Sequence, residues 1–217
     1  MKKTVFVFGD SNSWGCTPNN DFVKPIERWD DDVRWPGVLQ KELGGDGYKV
    51  LIDGLPGRTT VWDDPIQEYR CGKDQIIPSM DAAAPIDLII IFVGTNDLKA
   101  RYGLSAQDIA NGAAVLVRRA LAQVGAFRNG APKVVLVGPP PLGPVSGGIF
   151  GMMFGGGEEK SKQLGACYKD VAEANGVIYF DAGAVVKSSL KDGLHLDADQ
   201  HTLLGSAMAD AVKKAIG

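Results

Sequence analysis

The chain has 217 residues, 45% hydrophobic and 23% charged, which is enough for one globular domain with its own core, expected to span residues 1–217. Its net charge is -3 and its pI about 5.4, so no nucleic-acid footprint is expected. Its three cysteines, Cys16, Cys71 and Cys167, are odd in number and far apart; they suggest reduced thiols in a cytoplasmic protein, not a disulfide framework or a zinc site.

Met1-Lys2-Lys3 followed by apolar residues briefly imitates a signal peptide, but the apolar run stops at Gly9-Asp10. No stretch approaches the length of a membrane span. Thr4 to Phe8 reads as a buried parallel strand, rich in β-branched and aromatic residues. It turns at Gly9 into Asp10-Ser11-Asn12-Ser13-Trp14-Gly15. A hydroxyl there stands where α/β sheets place ligands, although Asp, Ser and Asn also form ordinary turns.

Cys16 to Arg34 has no clear period and is expected to form a loop. Its run Asp30-Asp31-Asp32 suits the solvated start of a helix better than a metal site. Trp35 to Leu43 has helical spacing, with Pro36 in the first turn and Gly44-Gly45 at the end. Tyr48 to Ile52 is a second short strand, leading to the glycine-bearing loop Asp53 to Thr60. Pro65 to Ala84 gives a mixed signal.

Pro85 to Val93 gives the strongest strand signal, with an unbroken apolar run from Leu88 to Val93 that marks a central strand. It ends in Gly94-Thr95-Asn96-Asp97. Ser105 is a helix N-cap with Asp108 three residues on, ahead of a long amphipathic face ending near Val124. Lys133 to Val137 is a fourth strand. Residues 143–157 are rich in Gly, Met and Phe and loop-like; exposed apolar side chains there suggest a lid, a substrate wall or an interface. Glu158 to Asn175 is a helix closed by Gly176, Val177 to Phe180 a fifth strand, and Ala198 to Ile216 a terminal helix. Five β-α repeats give a mostly parallel sheet whose strand C-termini share one edge.

That edge collects Ser11, Gly57, Asn96, Asp192 and His195. A serine hydroxyl needs an imidazole to take its proton, and the imidazole needs a carboxylate to hold its tautomer. A tetrahedral oxyanion needs preorganised donors, a role that falls to the Ser11 and Gly57 N–H groups and the Asn96 amide. His195 lies three residues after Asp192, whereas His201, inside the terminal helix, is expected at the surface or half-buried. Two histidines six apart, without nearby cysteines, do not suggest a metal. A dinucleotide site is not expected, since Gly-x-Gly-x-x-Gly is missing after the first strand.

Gly9-Asp10-Ser11, the glycine of Gly57-Arg58-Thr59-Thr60, Gly94-Thr95-Asn96-Asp97 and Asp192-Gly193-Leu194-His195 resemble the four blocks of the GDSL, or SGNH, hydrolases. The resemblance spans nearly the whole chain. It implies a flavodoxin-like three-layer α/β/α sandwich with a five-stranded parallel sheet, and no cofactor. It implies Ser11 as nucleophile, His195 as base, Asp192 as orienting acid, and Ser11, Gly57 and Asn96 as oxyanion donors. Arg58 and Asp97 would support the rim. Asn12 departs from the family, which usually has an aliphatic residue there. Gly-Asp-Ser-x-x-Trp-Gly and Gly-Thr-Asn-Asp-x-Lys-Ala look most like the bacterial arylesterase branch. That branch implies a small-molecule ester substrate, hydrolysis of short-chain aryl and alkyl esters, acyl transfer to alcohols or peroxide, and a homo-oligomer. It places Trp14 in the acyl pocket, the alternative being a tryptophan packed beneath the loop. A carbohydrate acetyl-esterase, or a binding protein of the same fold without catalysis, are the competing readings.

Overall fold

In a computed structural model, residues 1–19, 25–45, 47–145 and 147–217 are described. The loop expected over Cys16 to Arg34 and the segment 143–157 each fall partly outside them.

Five strands form one all-parallel sheet in the order β2-β1-β3-β4-β5. They are β1 (Lys3–Gly9), β2 (Tyr48–Gly54), β3 (Leu88–Phe92), β4 (Val134–Gly138) and β5 (Ile178–Asp181). β1 pairs with β2 from Lys3↔Tyr48 to Gly9↔Gly54, and with β3 from Val5↔Leu88 to Gly9↔Phe92. The chain reverses its direction of travel across the sheet between β1 and β3, the kind of crevice where open α/β sheets bind ligands. Every residue of β3 is buried, as its unbroken apolar run requires.

The side-chain alternation of the strands divides the core in two. Phe6, Phe8, Ile89 and Ile91 face one layer, which includes α3 (Gly72–Ala83), α4 (Ala106–Ala122) and α6 (Gly157–Ala174). Val5, Val7, Leu88, Ile90 and Phe92 face the other, formed by α2 (Trp35–Leu43) and α7 (Ala198–Ile216). Trp35, with no exposed surface, packs 6.1 Å from the Phe92 ring and joins α2 to the sheet. Burial of side chains of this size contributes about 1.5–3 kcal/mol each. Ser105 and Asp108 form a reciprocal capping box at the start of α4. Such a cap typically contributes about 1 kcal/mol.

Two segments differ from the sequence expectation. The mixed stretch before β3 contains α3, a twelve-residue helix with Pro78 inside it. Its burial of Ile76 and Met80 against the sheet outweighs the hydrogen bond that proline forfeits. The Gly- and Met-rich stretch contains a short helix, α5 (Gly148–Phe154), instead of a loop. Phe154 is buried at its end, whereas Met152 is 76% exposed. No described helix is long and apolar enough to cross a membrane.

Candidate active site

The strand β1 ends in a four-residue helical turn, α1 (Ser11–Trp14), and Asp10 caps it by accepting the Asn12 N–H at 3.0 Å. Ser11, the first residue of that turn, reaches the sheet's C-terminal edge. There its Oγ lies 3.1 Å from His195 Nε2, across 184 residues of sequence. His195 Nδ1 lies 2.7 Å from Asp192 Oδ2. The other carboxylate oxygen, Asp192 Oδ1, accepts the backbone N–H groups of Leu194 at 2.9 Å and His195 at 3.0 Å. The loop can turn this tightly because Gly193 has φ +75°; a Cβ there would strike Pro144 O at 2.7 Å.

Burial disfavours charge on both partners, but their contact prevails. The Asp192 carboxyl is held below its ordinary range by the His195 ring and the two backbone N–H groups. The His195 ring, despite its burial, is raised above its ordinary value by Asp192 and the neighbouring Cys16 thiol.

Gly57 (φ +86°) and Asn96 complete the rim. The positive φ at Gly57 strains any side chain there, and a Cβ would displace the end of the Gln67 side chain, whose Oε1 would lie 2.7 Å away. Asn96 sits in a 3-10 turn, Thr95–Leu98, after β3. Its Nδ2 gives one hydrogen to Arg58 O at 3.1 Å and retains a second. Arg58 binds Gly9 O at 2.8 Å, Asp53 O at 2.6 Å and Asp53 Oδ1 at 2.8 Å, with Phe8 4.0 Å from its guanidinium carbon. Asp97 accepts the Thr60 N–H at 3.0 Å and the Thr60 hydroxyl. Burial pushes the Asp10 carboxyl up to about 6 and the Asp97 carboxyl up to about 7.

Ser11, Gly57, Asn96 and His195 open on a shared cavity of about 250 Å³. Its walls are mainly apolar: Ile26, Pro56, Phe150, Met153, Phe154 and Leu194, with Cys16 beside them. The Phe150 ring stands edge-on to the His195 ring at 6.0 Å, so α5 is a wall of this cavity. The polar remainder includes Gln67 and Lys99. Lys99 is 1% exposed; its Nζ meets Asp64 Oδ2 at 2.8 Å and Gln67 Oε1 at 3.2 Å, while Arg101 holds Asp64 Oδ1 at 2.8 Å.

Trp14 differs from its expected place. It does not line the cavity; its ring carries the Arg28 guanidinium carbon at 4.8 Å. His201 also differs, being completely buried, with Nδ1 accepting the Trp35 N–H at 3.2 Å. Asp64 and Gln67 carry no sequence signal, because the ion pair that joins Asp64 to Lys99 spans 35 positions that include α3 and β3. The apolar bias of residues 143–157 was the visible signal for Phe150, Met153 and Phe154. Among the described residues, Asp63, Cys71 and Asp74 could together hold a metal ion, but none lines the cavity.

The arrangement supplies a hydroxyl, a base in contact with it, a carboxylate behind the base and nearby donors, the inventory that acyl transfer uses. The pattern of the GDSL-like Lipase/Acylhydrolase family matches residues 7–203. The structure superposes on the aryl esterase of M. smegmatis with a TM-score of 0.94 and 39% identity, covering 99% of this chain and 100% of that one. A carbohydrate acetylesterase from Sinorhizobium meliloti gives 0.92 and 39%, covering 98% and 99%. A carbohydrate acetylesterase family member from the same organism gives 0.89 and 33%, covering 99% of each chain. No curated protein matches the chain.

Proposed function

The chain belongs to the GDSL-like lipase/acylhydrolase family, a carboxylic ester hydrolase of the SGNH fold, and from that premise we propose that it cleaves short-chain aryl and alkyl esters through an acyl-enzyme on Ser11. The contact of Ser11 Oγ with His195 Nε2 at 3.1 Å carries this reading.

Ser11 Oγ attacks the ester carbonyl carbon as its proton passes to His195 Nε2. Asp192 holds the ring through Nδ1 and stabilises the imidazolium that forms. Charge gathers on the former carbonyl oxygen, where the Ser11 N–H, the Gly57 N–H and the free Asn96 hydrogen receive it. The ester C–O bond then breaks, and the leaving alkoxide takes the proton from His195. Water repeats the sequence on the acyl-serine, giving the acid and restoring Ser11. An alcohol or hydrogen peroxide entering the same place would accept the acyl group instead.

The cavity volume of about 250 Å³, at the small end for ligand sites, favours a small ester substrate. Its largely apolar lining favours an aryl or alkyl ester over an acetylated sugar, the alternative that the S. meliloti relatives raise.

Comparison of the wild type with Ser11→Ala on p-nitrophenyl acetate tests the reading. The wild type is expected to turn over and the variant to lose roughly 10⁴-fold or more. A variant that keeps its rate removes Ser11 from the mechanism.

A further inference from the structure

Asn12 stands directly after Ser11, in the helical turn that presents the serine. It is 1% exposed, and its Oδ1 finds no hydrogen-bond partner among the described residues. A carboxamide sealed away with its acceptor unmatched is a poor filler compared with leucine. What the amide does make is one long-range bond: Nδ2 donates to Leu194 O at 3.2 Å, across 182 residues.

The Leu194 carbonyl and the His195 N–H are the two ends of one planar peptide group. Asp192 Oδ1 accepts from the N–H end at 3.0 Å, and Asn12 donates to the carbonyl end. The His195 side chain leaves the backbone at the next Cα. Rotation of this peptide plane would swing Nε2 away from Ser11 Oγ. The nucleophile's own turn therefore grips the peptide from which its base is suspended.

We propose that Asn12 is a positioning residue that holds the His195 ring against Ser11 through the Leu194–His195 peptide. The inference rests on the esterase function proposed for Ser11. A merely structural role makes the opposite prediction. Leucine would fill the volume, remove the unmatched oxygen and leave activity intact.

The experiment compares wild type, Asn12→Leu and Asn12→Asp by kcat and KM on p-nitrophenyl acetate, by thermal melting, and by NMR titration of the His195 ring. Asn12→Leu is expected to lose about tenfold in kcat with KM within about twofold, because a small displacement of a catalytic group is expressed in turnover. Its melting midpoint should be equal or higher, and its His195 titration should move toward that of a free imidazole as the ring slackens against Asp192. Asn12→Asp keeps the shape but sets a carboxylate oxygen against the Leu194 carbonyl, so it should lose at least as much. Unchanged kcat in a folded Asn12→Leu overturns the inference, and Asn12→Asp decides if the leucine variant does not fold. A wild type that neither hydrolyses esters nor takes a fluorophosphonate on Ser11 sinks the esterase reading instead. The His195 titration then decides the role of Asn12: a shift in the variants upholds the grip on the ring, and no shift ends it.

Discussion

Asp192 holds His195 twice, at the ring through Oδ2 (2.7 Å to Nδ1) and at the backbone through Oδ1 (3.0 Å to the peptide nitrogen). One carboxylate thus meets both the His195 ring and the loop that carries it. The pairing also makes the imidazolium more stable than in a free histidine, which governs the pH at which the ring can act as a base.

Because the His195 pKa is raised, its base form appears only as pH climbs past the ordinary value of 6.5. The rising limb of kcat/KM against pH should therefore have its midpoint above 6.5. Asp192→Asn should bring that midpoint down and cost on the order of 10⁴ in kcat. A wild-type midpoint below 6.5, or one that the substitution leaves in place, would contradict the assignment.

Phe150 meets the His195 ring edge-on and closes the cavity from α5. Phe150→Ala should open room for a longer acyl chain. The ratio of kcat/KM for p-nitrophenyl octanoate to that for the acetate should rise roughly tenfold or more. An unchanged ratio would show that the acyl group lies against another wall.

His201 tests stability instead of catalysis. Burial, with the His195 charge nearby, lowers its pKa from 6.5 to about 4. The unfolded chain therefore takes up this proton first as pH falls, and the folded state loses stability between 6.5 and about 4. His201→Asn keeps an acceptor for the Trp35 N–H but cannot titrate. The advantage of wild type over this variant in chemical unfolding should shrink by about 3 kcal/mol from pH 7 to pH 4. A pH-independent difference would mean that His201 does not titrate as a buried neutral ring.

The parts of the fold that were visible in sequence are those where local and long-range demands agree. The amphipathic face behind Ser105 and the apolar run of β3 each follow one period to their ends. The helix α3 hid because Pro78 and polar neighbours blur its period, and its stability comes from the sheet beneath Ile76 and Met80. Glycines concealed α5 in the same way; its apolar side chains were visible but their helical order was not. At the site, the meeting of Ser11, Asp192 and His195 at one sheet edge was legible from strand order. Trp14 was not, since a motif does not state which way a ring will turn once Arg28 stacks upon it. His201 belongs with the unreadable residues, because one polar side chain on a helix looks alike whether it meets water or a backbone N–H.

The 184 residues separating the hydroxyl from its base also order events in time. A growing polypeptide presents Ser11 well before the imidazole is made. Between them lie β2, β3, β4 and β5, and the loop after β5 that bears His195 returns to the end of β1. With Ser11 as the nucleophile, a nascent or truncated chain that stops short of His195 holds an unactivated alcohol and spares surrounding esters. For the same reason, regain of hydrolysis after dilution from denaturant would report the return of the His195 loop to the end of β1, a contact of long sequence separation.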